Sequence, residues 1–201
     1  MRTVTIVYDN EALQDDLISD WGFSCLVELK NRTLLFDTGT KGDILLHNMK
    51  KLDIHPSDID SVFLSHNHHD HVGGLSAFRD KCPDAEIFRP DFSKTIKEFL
   101  PSLYTTGYLK GIEQSLIIKK EDGLVLIVGC SHPGLERIIK IAESLGDIKM
   151  VVGGFHGFAK FSALKGISRI LPCHCTRYKD KIKNKFPQCT ISCGAGRTVN
   201  F

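Results

Sequence analysis

The chain has 201 residues, 42% of them apolar and 25% charged. That length can bury a sizeable core and fits one domain, 1–201, better than two, and the composition excludes a disordered chain. A formal net charge of +2 gives no global reason to expect nucleic acid or a membrane as partner, and the longest apolar run, LVLIVGC, is far too short to span a bilayer.

The start, MRTVTIVYDN, is apolar for only a few residues before it turns acidic, so it reads as a first strand and not as a signal peptide. TVTIVYD, SCLVELK and RTLLFDTG predict an opening group of antiparallel strands, the last two joined at KNR. GDILLHNMKKL places Ile44, Leu45, Met49 and Leu52 at helical spacing behind an acidic first turn. SDIDSVFLSH is a short buried strand, and GGLSAFRDK opens a helix. DFSKTIKEFL predicts a further helix, stopped by Pro101. SLIIKKEDGLVLIVG reads as a hairpin turned at 121–123, and GLERIIKIAESLG as an amphipathic helix closed by Gly146. IKMVVGG, ISRILP and CTISCG are late strands, with helices expected at 159–165 and 178–186. Strands and helices mix throughout, with no linker and no repeat, so the expectation is one compact α/β unit.

Seven scattered cysteines without a CxxC pair suggest free thiols in a reducing cytoplasm. Cys173, Cys175, Cys189 and Cys193 could form a thiolate metal site, but the reading preferred is packing of small side chains around His174, since structural zinc sites more often use two-residue spacers. The basic run RYKDKIKNK is either a solvated helix face or a rim that steers anions.

The chemistry concentrates in LSHNHHDHVGGL, residues 64–75. His66, His68, Asp70 and His71 form HxHxDH just past a strand. In a turn, 66 and 68 can project one way while 70 and 71 project another, so the segment can feed two adjacent metal ions. Imidazole and carboxylate suit Zn(II), Fe(II) or Mn(II). Gly73 and Gly74 are read as allowing a tight turn into the next helix. Three more histidines follow strand-like runs: His132 in LIVGCSHPG, His156 in MVVGGFHG and His174 in ILPCHC. Open α/β sheets place their sites at such strand ends. His47 and His55 read as surface residues.

On these residues the chain resembles the metallo-β-lactamase superfamily over nearly its whole length. LLFDTG at 34–39 is similar to the strand and turn before that superfamily's metal motif, with Asp37 in the ligand-orienting place. YDN at 8–10, WGFS at 21–24, GCSHPG at 129–134, GGFH at 153–156 and PCHCT at 172–176 resemble a narrower branch. That branch is usually labelled 7,8-dihydropterin-6-yl-methyl-4-(β-D-ribofuranosyl)aminobenzene 5′-phosphate synthase. The resemblance implies an αββα sandwich and a metal-dependent hydrolase with two divalent ions, zinc foremost and manganese or iron as alternatives. It implies His66, His68 and His132 on the first ion, and Asp70, His71 and His174 on the second. Where the superfamily carries a bridging aspartate this chain has GCSH, so Cys130 or His132 must substitute, or one ion is bound weakly. His156 is assigned an acid or orienting role, and Asp70 is expected to orient the nucleophile as well as bind metal. Departures from the branch fall at His69, at Arg177 and in a short segment between His71 and Gly129, all of which bear on the substrate.

The function implied is hydrolysis of a small anionic, phosphorylated or ester substrate by metal-bound hydroxide. Membrane partners are not expected, nucleic acid is disfavoured, and the oligomeric state is left open. The competing readings are an RNA-processing nuclease, an oxygen-reducing di-iron protein, and a metal-stabilised binding or sensor protein. The absence of an inserted nucleic-acid-binding segment speaks against the first. His68, where the second typically has an acid, speaks against redox chemistry. The third requires a closed coordination shell.

Overall fold

The computed structural model describes residues 2–90 and 93–201. The chain forms two compact units, Met1–Arg89 with Cys193–Phe201, and Pro90–Ser192. Each contains one six-stranded sheet, and the two are taken in turn.

In the first unit the strands are β1 (Thr3–Tyr8), β2 (Ser24–Glu28), β3 (Thr33–Phe36), β4 (Ser61–Phe63), β5 (Glu86–Phe88) and β12 (Thr198–Asn200), in the order β12-β1-β2-β3-β4-β5. β1, β2 and β3 pair antiparallel as expected, while β3, β4 and β5 run parallel. Leu34, Leu35 and Phe36 are all buried, which is why β3 reads as a continuous apolar run and not as an alternation. Helix α1 (Gly42–Lys51) carries Asp43 in its first turn and Lys50 and Lys51 in its last, each sign favoured at that end of the dipole. It buries Leu45 and Met49 in a cluster with Val7, Leu35, Val62 and Phe78, worth about 1.5–3 kcal/mol for each of the two side chains. Its buried Asn48 donates to the carbonyls of Val7 and Ile18 and accepts from the Ile18 amide, pinning the long connection after β1.

Behind β4 the chain enters two short helices, α2 (His69–Val72) and α3 (Leu75–Lys81). Gly73 and Gly74 have ordinary helical angles, with φ of −63° and −80°. Their glycine identity therefore answers to space and not to a tight turn: a Cβ on Gly73 would strike the Thr40 carbonyl, and one on Gly74 the Thr38 carbonyl.

In the second unit the strands are β6 (Lys97–Leu100), β7 (Leu103–Thr105), β8 (Leu116–Lys120), β9 (Gly123–Val128), β10 (Ile148–Gly154) and β11 (Arg169–Cys173), in the order β11-β10-β9-β8-β7-β6. β8 and β9 form the expected hairpin, and β9, β10 and β11 are parallel. Helix α4 (Leu135–Ala142) connects β9 to β10 and buries Leu135, Ile138, Ile139 and Ala142, the i, i+3, i+4, i+7 stripe of a core-facing helix. A basic helix, α5 (Lys179–Lys185), follows β11.

Several expected elements differ. The helix predicted over 91–100 is strand β6 from Lys97 onward; residues 91–92 lie outside the described residues. Leu100 pairs with Leu103 across Pro101 and Ser102, and Ser102 takes φ 66°, so a two-residue turn commits the segment to strand pairing over its helical spacing. CTISCG makes only a single bridge, Thr190 to Ile170. The helix expected at 159–165 is a 3-10 turn over Phe161–Leu164. Cys25, Cys82, Cys130, Cys175 and Cys189 are free thiols; Cys173 and Cys193 are not among them, a distinction that spacing along the chain does not reveal. Among the described residues no helix is long and apolar enough to cross a membrane.

Candidate metal centre

In the first unit the candidate ligands sit in the loop that leaves β4 and in the start of α2. Asp37, the residue after β3, governs them. It is fully buried and left-handed, at φ 55°. Its Oδ1 accepts the Ser65 amide at 2.7 Å, and its Oδ2 accepts the Ser65 hydroxyl at 2.7 Å and His71 Nδ1 at 2.6 Å. These bonds fix two tautomers. His71 donates from Nδ1 and so leaves Nε2 unprotonated. The Ser65 hydroxyl spends its one hydrogen on Asp37, so it accepts from His66 Nδ1 at 2.8 Å, and His66 Nε2 is unprotonated too. One buried carboxylate thus readies two imidazoles as ligands.

His66 Nε2 lies 3.1 Å from His68 Nδ1. Two nitrogens on one tetrahedral zinc stand roughly 3.3 Å apart, so this spacing suits a shared ion. His71 Nε2 lies 3.8 Å from Asp70 Oδ2, a second ligand pair on the far side of the turn, with the His66 and His71 rings 4.1 Å apart. The donor set of imidazoles and carboxylate together with these spacings fits divalent metal.

Trp21 is tied to the same cluster. Its indole Nε1 donates to Asp70 Oδ2 at 2.9 Å although the residue is 57% exposed, and the neighbouring Phe23 amide donates to the Asp70 carbonyl. The sequence motif WGFS is therefore a brace for Asp70.

In the second unit three parallel strands end side by side, and the chain turns left-handed beyond each: Ser131 after β9 at φ 61°, His156 after β10 at φ 46°, and His174 after β11 at φ 48°. Such angles are uncommon outside glycine and gather at functional sites. They set His132, His156 and His174 along one sheet edge. The His132 and His156 rings meet edge to face at 5.2 Å. His174 is buried, and its ring offers a nitrogen within 4.8 Å of Cys130 Sγ. The three turns are laced together. Ser131 Oγ donates to the Gly154 carbonyl at 2.8 Å, Thr176 Oγ1 donates to the Cys173 carbonyl and accepts the Phe155 amide, and the Arg177 amide donates to the His156 carbonyl.

The residue that sequence reasoning missed is Glu113. It is fully buried, and its carboxylate accepts four successive backbone N–H groups, those of Gly129, Cys130, Ser131 and His132, at 2.8–3.1 Å. It holds the whole GCSH turn. Nothing local to GIEQS marks that glutamate, because its partners lie 16–19 residues away.

The profile of the metallo-beta-lactamase superfamily matches residues 22–134, more than half of the chain. A 7,8-dihydropterin-6-methyl-4-(beta-D-ribofuranosyl)-aminobenzene-5'-phosphate synthase of Methanocaldococcus jannaschii is 26% identical over 284 aligned positions, which cover 100% of this chain and 97% of that protein. An alignment that much longer than this chain means that the relative carries insertions this chain lacks. A crystal structure of a metal-dependent hydrolase of the beta-lactamase superfamily superposes with a TM-score of 0.82 at 26% identity, covering 100% of this chain and 99% of that one. Human tRNase Z, short form, superposes with a TM-score of 0.65 at 11% identity over 98% of both chains, a likeness of fold alone. The two mixed sheets with their helices are those of the metallo-β-lactamase α/β sandwich fold, and the chain belongs to the metallo-beta-lactamase superfamily.

Proposed function

We propose that the chain is a dinuclear metal-dependent hydrolase, with zinc foremost among the ions, acting on a small anionic substrate, a phosphate or carboxylate ester. The observation that carries the reading is the Asp37 network, which prepares His66 and His71 as ligands. In this reading His66, His68 and His132 hold one ion, and Asp70, His71 and His174 the other. Divalent ions held there would lower the pKa of water towards about 7 and polarise the substrate's oxygen. The chain's own residues do the rest. Trp21 and the α2 backbone hold Asp70 so that its carboxylate can orient the attacking water. His156, exposed beyond β10, hands a proton to the departing oxygen. An anionic substrate is favoured by a cavity of about 680 Å³ beside the HxHxDH turn, lined by Asn67, His69 and Ser76 and by two basic residues, Arg79 and Arg89, against one acid, Asp80. Its setting is taken to be the cytoplasm.

Protein reconstituted with zinc is expected to hold two ions per chain by elemental analysis. His68→Ala should hold one and lose nearly all activity on nitrophenyl esters and phosphodiesters, while Cys175→Ala keeps both ions. Well under one ion per chain in the wild type would defeat the reading.

His156→Ala should leave metal content unchanged and slow the reaction by about 10²–10⁴-fold, the usual size of a general acid–base contribution. The loss should shrink for a nitrophenolate leaving group, which departs without a proton. Depleted metal with equal losses on good and poor leaving groups would make His156 a ligand instead.

A further inference from the structure

We propose that the Cys130 thiolate is a ligand to the second ion, shared with His174, and that Cys175 is its hydrogen-bonding partner. This rests on the two-metal reading and decides, on geometry, between Cys130 and His132, which the sequence left as alternatives for the place of the bridging aspartate.

The position of the thiol is the first argument. Cys130 is 3% exposed, and its Sγ lies within 4.8 Å of a His174 ring nitrogen. Sulfur and nitrogen bound to one tetrahedral zinc stand roughly 3.6 Å apart, given Zn–S near 2.3 Å and Zn–N near 2.05 Å, so a small adjustment on binding brings both onto one ion. The second argument is preorganisation. The Cys130 amide is one of the four held by Glu113, at 3.0 Å, and the next residue is locked left-handed, so the Cα–Cβ direction of Cys130 is set by the backbone. A small packed cysteine has no need of such a clamp.

The third argument is the second thiol. Cys175 Sγ lies 3.3 Å from Cys130 Sγ. Gly154 makes room for the pair: a Cβ there would stand 2.7 Å from Cys175 Sγ and 2.5 Å from the Gly129 carbonyl. With Cys130 bound to metal as a thiolate, Cys175 S–H is the donor beside it, the kind of outer partner that orients a ligand and tempers its charge. A mixed sulfur, nitrogen and oxygen site of this type takes zinc, cobalt or ferrous iron in preference to magnesium or manganese.

The test is titration of the metal-free full-length protein with Co(II), followed by absorption. Wild type should bind two ions and develop a near-ultraviolet thiolate-to-cobalt charge-transfer band that saturates with one of the two. Cys130→Ser should lose the band, and Cys175→Ser should keep it with shifted energy. Zinc-edge X-ray absorption on the wild type needs no variant and should give one sulfur neighbour per two zinc ions at about 2.3 Å. Two bound ions with no sulfur signal would overturn the Cys130 assignment while leaving the dinuclear reading intact. A band that survives Cys130→Ser but vanishes in Cys175→Ser would also overturn it. Failure to bind two ions at all would instead strike the dinuclear reading.

Discussion

Glu113→Ala is expected to destabilise the protein by about 3–5 kcal/mol, a large share of the 5–15 kcal/mol that a folded domain typically has. The removed carboxylate accepts the amides of Gly129, Cys130, Ser131 and His132. Each buried N–H left without an acceptor costs about 1–3 kcal/mol, and water entering the gap recovers part of the total. Glu113→Gln keeps the shape. Its amide oxygen can stand where Oε1 serves three of the four N–H groups, but its NH₂ then faces the His132 amide, donor against donor. A loss of about 1–2 kcal/mol is expected for that variant. Urea unfolding of both variants checks the ordering. Equal losses below about 1 kcal/mol would mean that the cradle is not what holds the turn.

This residue also marks where sequence reading stops. The candidate turn was legible because its parts are local: a buried strand, then HxHxDH within six residues. His132, His156 and His174 were legible because each follows an apolar run, and parallel strands deliver such positions to one edge. Glu113 had no such signal. An acid in a polar loop looks like any solvated acid until a turn 16 residues on closes over it. The same limit explains β6, whose helical spacing yielded to the Pro101–Ser102 turn and to a partner strand that residue spacing does not name. It explains Gly73 and Gly74 as well, where the right residues were noticed for the wrong reason. Their constraint is the backbone of Thr38 and Thr40, more than 30 residues earlier. Local periodicity predicts what one element wants; it does not show what another element brings against it.

On the proposed dinuclear reading, Asp37→Asn should keep the fold and loosen both ions, because one isosteric change inverts two tautomers. An asparagine amide oxygen at the Oδ1 place still accepts the Ser65 N–H, and asparagine tolerates the left-handed φ of 55° at this position. Its NH₂ takes the place of Oδ2, where it must donate to the Ser65 hydroxyl and to His71 Nδ1. His71 can accept there only if its proton moves to Nε2. The Ser65 hydroxyl, no longer spending its hydrogen on residue 37, turns to donate to His66 Nδ1, and the His66 proton moves to Nε2 as well. Both ligand nitrogens are then capped by hydrogen. Changes to such outer partners cost about 10–100-fold in metal affinity, so each ion should weaken by that factor. With each ion on an independent partner, a single substitution would loosen only one. Competition with a chromophoric chelator separates the outcomes, read beside a thermal melt of the metal-free protein. Two weakened affinities with an unchanged melt support the shared carboxylate. One weakened affinity would break the link from Asp37 through Ser65 to His66, and a collapsed melt would make Asp37 a structural anchor first.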